Sequence, residues 1–219
     1  GKNYVLLPGA KDYKRIGDGN TGPNTGGMGT VSPVPFANRE FMDKVVKRVV
    51  EPTISGLQKD NIDYCGFVFF GLMNVNGDPY VIEYNVRMGD PETQVVMPRI
   101  GGSFADMLKA AASGNLKECR TETLPLTALS IVLASKGYPG SYEKGKAISL
   151  PEGENLIFHA GTAATNNQIV TSGGRVMAVV GTGDSIEDAR KAAYNLAERV
   201  HFEGKTNRSD IGLDLMQYE

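Results

Sequence analysis

The chain has 219 residues, 41% hydrophobic and 22% charged, with a formal net charge of −2. No run of Lys or Arg offers the basic stripe that a nucleic-acid polymer requires. No apolar stretch of ~18 residues could span a membrane, and no signal peptide is visible, so no membrane partner is expected and the protein reads as cytoplasmic.

Two cysteines, Cys65 and Cys119, make neither a disulfide framework nor a metal spacing. Cys65 lies beside "GFVFFGLM" and reads as a small core residue. His159 and His201 are far apart and lack ligand spacing. A chain of this size can bury roughly 70–75% of its unfolded surface, as one large domain or two small ones.

The chain opens on "GKNYVLLPGAKDYKR", without an initiator Met, which suggests the middle of a longer protein. Residues 2–10 read as a short strand. Lys11 to Pro35, rich in Gly, Asn, Asp and Pro, reads as a long loop, and loops beyond ~12–15 residues are usually functional or disordered. Clustered glycines in "GDGNTGPNTGGMG" allow successive N–H groups to form an anion-binding nest, and Lys14 and Arg15 stand just before it. The loop is no P-loop and no G-x-G-x-x-G. It does not complete a calcium loop either, because position twelve from Asp18 is Gly29. A solvated loop without a ligand is the plain alternative.

Asn38 caps a helical pattern carried by Phe41, Met42, Val45, Val46 and Val49, with Pro52 expected to end or kink it. "GFVFFGLMNVNGDPYVIEYNVR" reads as a β-hairpin turning at Asn76-Gly77. Ser103, with Asp106 three residues on, opens another helix that Gly114 ends. From about Thr121 the texture changes to short strands: "LTALSIVLAS", "KAISLP", "NLIFHAG", "QIVTS" and "RVMAVVGTG". A last helix is capped by Ser185. The expected class is α+β, with a first domain over 1–120 and a β-rich second domain with a terminal helix over 121–219.

The second strand of the hairpin carries an unusual load: Glu83, Asn85, Arg87, Asp90 and Glu92 follow within ten positions. Strand alternation puts Val81, Glu83 and Asn85 on one face and Ile82, Tyr84 and Val86 on the other. The oxygens of Glu83 and Asn85 can then converge on a hard cation such as Mg²⁺, which keeps its remaining positions for phosphate and water. Arg87, next along, suits a phosphate or a developing oxyanion. The structural alternatives are an ion pair between Glu83 and Arg87, and helix-capping roles for Asp90 and Glu92 ahead of "TQVVM".

Taken together, "DYKRIGDGNTGPNTGGMG", "VIEYNVRMGDPETQ" and "HFEGKTNRSDIG" resemble the phosphoribosylamine–glycine ligase family of purine biosynthesis, a branch of the ATP-grasp superfamily. The resemblance covers the whole chain but only the C-terminal part of the family's protein. It implies the C-terminal half of an ATP-grasp domain, an antiparallel sheet with helices, and a reaction between glycine, phosphoribosylamine and ATP through a glycyl phosphate. It implies Mg²⁺ or Mn²⁺ on Glu83 and Asn85, Arg87 at the transferred phosphoryl group, and Asp90 and Glu92 near the amine substrate. Asn24, Thr25, Gly26, Gly27, Met28 and Gly29 would wall the substrate site, with Lys14 touching phosphate.

Three departures from the family pattern stand out. "GFVFFGLM" carries no acidic metal ligand, Met88 replaces the more usual Leu or Phe, and the N-terminal domain and ATP lid are missing. The missing N-terminal half is thus an implied partner, and the chain alone is expected to be inactive and to bind Mg-ATP poorly. The competing readings are another ATP-grasp enzyme, such as a carboxylase acting on biotin or an aminoimidazole ribonucleotide, and a non-catalytic interaction fragment.

Overall fold

A computed structural model describes residues 2–153 and 155–218. The chain divides into two compact units that interleave in sequence. The first takes the segment up to Pro8, Val34–Gly89 and Ile100–Leu124; the second takes Gly9–Pro33, Asp90–Arg99 and the segment from Pro125 onward. Residues 9–33 and 90–99, which sequence texture groups with 1–120, thus belong with the later strands.

In the first unit the Asn38 side chain accepts a hydrogen bond from Phe41 N at 3.0 Å and starts helix Arg39–Val45. The helical path continues through a π turn at Val46–Val50 into Glu51–Lys59. Pro52 does not end it, and falls just after the π turn, where the regular ladder of the helix is already interrupted. Phe41, Val45 and Val50 form the buried core, against which Met42, Ile54, Phe70 and Leu72 pack. Each such side chain contributes roughly 1.5–3 kcal/mol when fully buried.

Phe70 and Leu72 belong to the hairpin of strands Phe69–Val75 and Asp78–Asn85. Its turn has positive φ at Asn76 (52°) and Gly77 (84°), the signature of the twist-compatible two-residue turn. Tyr84 meets Phe70 edge to face at 5.4 Å, on the helix-facing side. Helix Phe104–Ala112 is capped by Ser103, whose Oγ accepts from Asp106 N at 3.1 Å. Cys65 is exposed rather than in the core. It precedes the point at which strand pairing begins, so the apolar alternation does not reach it.

The second unit is built on an antiparallel sheet in the order Lys11–Asp12, Gly29–Ser32, Thr127–Ser135, Arg175–Gly183, Ile157–His159, with Lys205–Thr206 also pairing onto Thr127–Ser135. Thr127–Ser135 is buried along its whole length, as a central strand covered on both faces should be. Helix Ile186–Arg199 covers one face, capped by Ser185. It approaches so closely that a Cβ on Gly181 would lie 2.2 Å from Ala189 O. Glycine is required there.

The segment read as a loop, 11–35, instead contains four short strands. Two pair with each other, Arg15–Gly17 with Thr21–Asn24, while Gly29–Ser32 pairs with Thr127–Ser135 about a hundred residues away. No strand is assigned over residues 2–10, and "KAISLP" makes only the isolated bridges Ala147–Val170 and Ser149–His201. Among the described residues no helix is long and apolar enough to cross a membrane.

Candidate functional site

In the first unit the sequence-selected residues sit on the second hairpin strand. Glu83 pairs with Gly71 and Asn85 with Phe69, so the two share a face. Val81 does not join them. An irregularity between Gly71 and Leu72 leaves Ile82 as an extra residue and pairs Val81 with Leu72, on the side that also carries Tyr84. The strict alternation expected from sequence therefore breaks at Ile82.

The Glu83 side chain lies over Gly71, where an added Cβ would come within 2.7 Å of its Cγ. Glu83 is exposed and Asn85 half-buried. Arg87 is exposed and donates from Nη1 to Met88 O at 2.9 Å. The Glu83–Arg87 ion pair, one of the structural alternatives, is not among the contacts of the described residues.

Among the described residues, no group of three or more His, Cys, Asp or Glu is arranged to hold a metal. Glu83 and Asn85 supply two oxygen donors on an open face. That fits an ion like Mg²⁺, which is held by one or two carboxylates and completed by phosphate and water. It does not fit a closed all-protein cage.

The remaining selected residues lie in the second unit. The Thr25 hydroxyl donates to Lys14 O at 2.9 Å and accepts from Gly27 N at 2.9 Å, fixing the bend of the glycine-rich stretch. Asn24 is exposed on its short strand, paired with Arg15. Gly26 O accepts from Arg175 Nη1 at 3.0 Å, and Gly26 N donates to Tyr138 OH at 3.1 Å. Met28 is 1% exposed, so its side chain belongs to the core and not to an open wall. Gly29 starts the strand paired with Thr127–Ser135.

Both carboxylate oxygens of Asp90 are engaged, Oδ2 by Arg175 Nη2 at 3.0 Å and Oδ1 by Gln94 Nε2 at 3.1 Å. Arg175 also holds Asp90 O at 3.0 Å. This arginine thus ties the glycine-rich stretch to the "GDPE" turn. Nothing local in "SGGRVM" announces it, because its two partners lie 85 and 149 residues away.

Glu92 precedes helix Thr93–Val96 and makes no side-chain capping bond, contrary to the capping alternative. It is only 6% exposed. Nearby lies Asp12, which sequence reasoning passed over although "DYKR" contains it. Thr30, the cross-strand partner of Asp12, donates to Pro91 O at 3.0 Å and brings the residue before Glu92 alongside. Burial pushes the Asp12 carboxyl above its ordinary value, while its ion pair with Lys14 opposes the shift. Glu92 is also pushed up, by burial first and by the Asp12 charge second.

Residues 1–93 match the family described as phosphoribosylglycinamide synthetase, ATP-grasp (A) domain, and residues 128–214 match the C domain of the same synthetase. A curated relative, the phosphoribosylamine–glycine ligase of Thermotoga maritima, is 46% identical over 214 residues, covering 97% of this chain and 52% of the relative. The crystal structure of a phosphoribosylamine–glycine ligase from the same organism superposes with a TM-score of 0.88 at 47% identity, covering 96% of this chain and 53% of that one. A biotin carboxylase from Campylobacter jejuni, solved as a β,γ-ATP complex, is similar in fold alone: TM-score 0.58, 16% identity, covering 87% of this chain and 42% of that one. The chain spans about half the length of the curated relatives it matches.

Proposed function

From the premise that this chain belongs to the phosphoribosylglycinamide synthetase family, carrying its ATP-grasp (A) and C domains, we propose that the full-length protein ligates glycine to 5-phosphoribosylamine. ATP phosphorylates the glycine carboxylate, the amine of phosphoribosylamine attacks the resulting glycyl phosphate, and phosphate leaves. The products are glycinamide ribonucleotide, ADP and phosphate. Such chemistry runs on positioning and charge neutralisation more than on covalent catalysis by the protein.

The observation that carries the reading is the pairing of Glu83 and Asn85 on one open hairpin face, inside the stretch matched to the ATP-grasp domain. They would hold the divalent cation, Mg²⁺ or Mn²⁺, which would neutralise phosphate oxygens of ATP. Arg87 is exposed just beyond and suits the transferred phosphoryl group. In the second unit, Lys14 and the Thr25–Gly27 bend suit substrate binding. Asp90 would position that bend through Arg175 rather than touch substrate. A reducing compartment such as the cytoplasm suits the free thiols of Cys65 and Cys119.

Glycine-dependent ATP consumption by the full-length enzyme is the test, and turnover that needs bicarbonate and ignores glycine would move the protein to the carboxylase reading. Glu83→Gln keeps the shape and removes one charge. We expect a rate loss of about 10²-fold or more in steady-state kinetics, by analogy with deleting one preorganised electrostatic group. A rate near wild type would remove Glu83 from the chemistry. The 219-residue chain alone is proposed to be inactive, because it spans only about half the length of its relatives. Calorimetric titration with Mg-ATP should then show weak binding, and tight binding would contradict this.

A further inference from the structure

We propose that Thr53 and Tyr84 are positioning residues for the divalent-cation site, fixing the strand face on which Glu83 and Asn85 stand. The inference rests on the metal reading of those two residues given above and adds what holds them in place. Tyr84 lies between them in sequence, so its side chain leaves the strand on the opposite face. Its hydroxyl lies 3.2 Å from Thr53 Oγ1, and Thr53 Oγ1 donates to Val49 O at 2.7 Å. A hydroxyl has one proton, so Thr53 gives its own to Val49 and accepts from Tyr84. Tyr84 is 54% exposed, so burial alone does not hold it. The edge contact of its ring with Phe70 and the bond to Thr53 do.

The strand needs such a pin at this point. Ile82 is the extra residue of the bulge, directly before Glu83. A bulge interrupts the ladder, and a slip by one residue would turn Glu83 and Asn85 to the other face. On the far side of the bulge, Asp78 Oδ1 is held by Lys44 Nζ at 3.1 Å and Arg48 Nη1 at 2.9 Å. The strand is thus tied to the same helical path both before and after the irregularity.

The π turn at Val46–Val50 makes both ties possible from one helical path. At 3.6 residues per turn, Thr53 would point about 140° away from Arg48. A π turn closes i→i+5 bonds, as Glu51 N does on Val46 O, and holds one residue more than an α turn. That extra residue takes back about 100°, the α-helical rotation per residue, and brings Thr53 round to the hairpin.

The experiment uses the full-length enzyme and compares calorimetric titrations with Mg-ADP and with ADP in EDTA. The ratio of the two affinities is the contribution of the metal. Tyr84→Phe keeps the ring and removes the hydroxyl. It should lower the ratio about fivefold, the scale of one hydrogen bond, and leave the affinity for metal-free ADP unchanged. Thr53→Val should lower the ratio by a similar factor, and it serves alone if Tyr84→Phe does not fold. The double variant should lose no more than either single one, because the two share one contact. Thr53→Ser, which keeps the hydroxyl, should restore the ratio.

An unchanged ratio in Tyr84→Phe would overturn the proposal. So would losses that multiply in the double variant, the mark of two unrelated structural effects, or an equal loss of affinity for metal-free ADP. Glu83→Gln is titrated first: if it leaves the ratio unchanged, the metal reading itself fails, and this is visible before Tyr84 or Thr53 is altered.

Discussion

Two buried polar clusters in the second unit use the same kinds of side chain to opposite ends. Around Arg208, whose side chain is 1% exposed, hydrogen-bonding groups meet protein partners. Its Nε and Nη2 grip the two oxygens of Asp210 at 2.8 Å each, while Nη1 reaches Arg15 O at 3.0 Å and Asn20 Oδ1 at 3.1 Å. The guanidinium lies 5.3 Å from the Tyr13 ring centre, and the Tyr13 hydroxyl donates to Asp214 at 2.6 Å. Asp18 accepts from Ser209 N at 2.8 Å, and Gly19 N donates to Asp210 at 2.8 Å. At Asp12, by contrast, the buried Oδ1 is left without a donor, and Glu92 is a second buried carboxylate nearby. Satisfied burial makes a scaffold, and unsatisfied burial leaves a cost that the rest of the fold must carry.

The largest expected effect comes from breaking the satisfied cluster. Arg208→Met keeps most of the volume but leaves Asp210, Arg15 O and Asn20 facing an apolar chain. Removing one partner of such a buried ionic network costs about 3–5 kcal/mol. Urea unfolding should show a loss of that size, whereas a loss under about 1 kcal/mol would mean that the cluster does not hold the 11–24 segment in place. Asp12→Asn, in the other cluster, should cost no stability at neutral pH, because it removes a charge that burial disfavours.

A smaller effect is expected at Gly27. Ala there meets Pro91 Cδ and Asp12 Oδ1 at 2.5 and 2.6 Å and must hold a φ of +119°. The strain is of the order of 1–3 kcal/mol. Thermal unfolding should register it as a lowered midpoint. An unchanged midpoint would mean that the segment shifts to admit the methyl group without cost.

What the sequence discloses of these two clusters follows from the range of the interactions. The caps at Asn38, Ser103 and Ser185 and the Asn76–Gly77 turn depend on neighbours within about four positions, and each was legible. That Glu83 and Asn85 share a face follows from alternation over two residues. It survives, while Val81 is lost from that face because a bulge at Ile82 has no local signal. Cys65, read as core from its apolar neighbours, is exposed because those neighbours belong to a strand that starts only at Phe69. Of the strands within 11–35, Gly29–Ser32 was hidden because its partner begins at Thr127, and the others are two to four residues long, two of them carrying Gly or Pro. Asp12 and Arg175 stayed invisible as site residues for the same reason, and so did Arg208: its contacts with Arg15 and Asn20 span 193 and 188 positions. In both clusters the chemistry is written in residues that only tertiary pairing brings together.

The smallest effect is also the one in which the two clusters differ in sign. The Arg208 guanidinium holds the Asp210 carboxyl down to about 2, below its ordinary value of 3.8. A depressed carboxylate stabilises the fold above its unfolded value, and that contribution fades as pH falls from about 4 through about 2. Asp12 and Glu92 are raised instead, so the folded state holds their protons more tightly than the unfolded chain does. Their contribution is greatest below the ordinary carboxylate values and declines as pH rises through the raised ones. Asp210→Asn should therefore flatten the acid limb of a stability-against-pH curve by on the order of 1 kcal/mol after solvent screening. Asp12→Asn should leave that limb in place and lift stability on the neutral side. If both substitutions shifted the same limb in the same direction, the two clusters would be one electrostatic unit, and the distinction between satisfied and unsatisfied burial would fail.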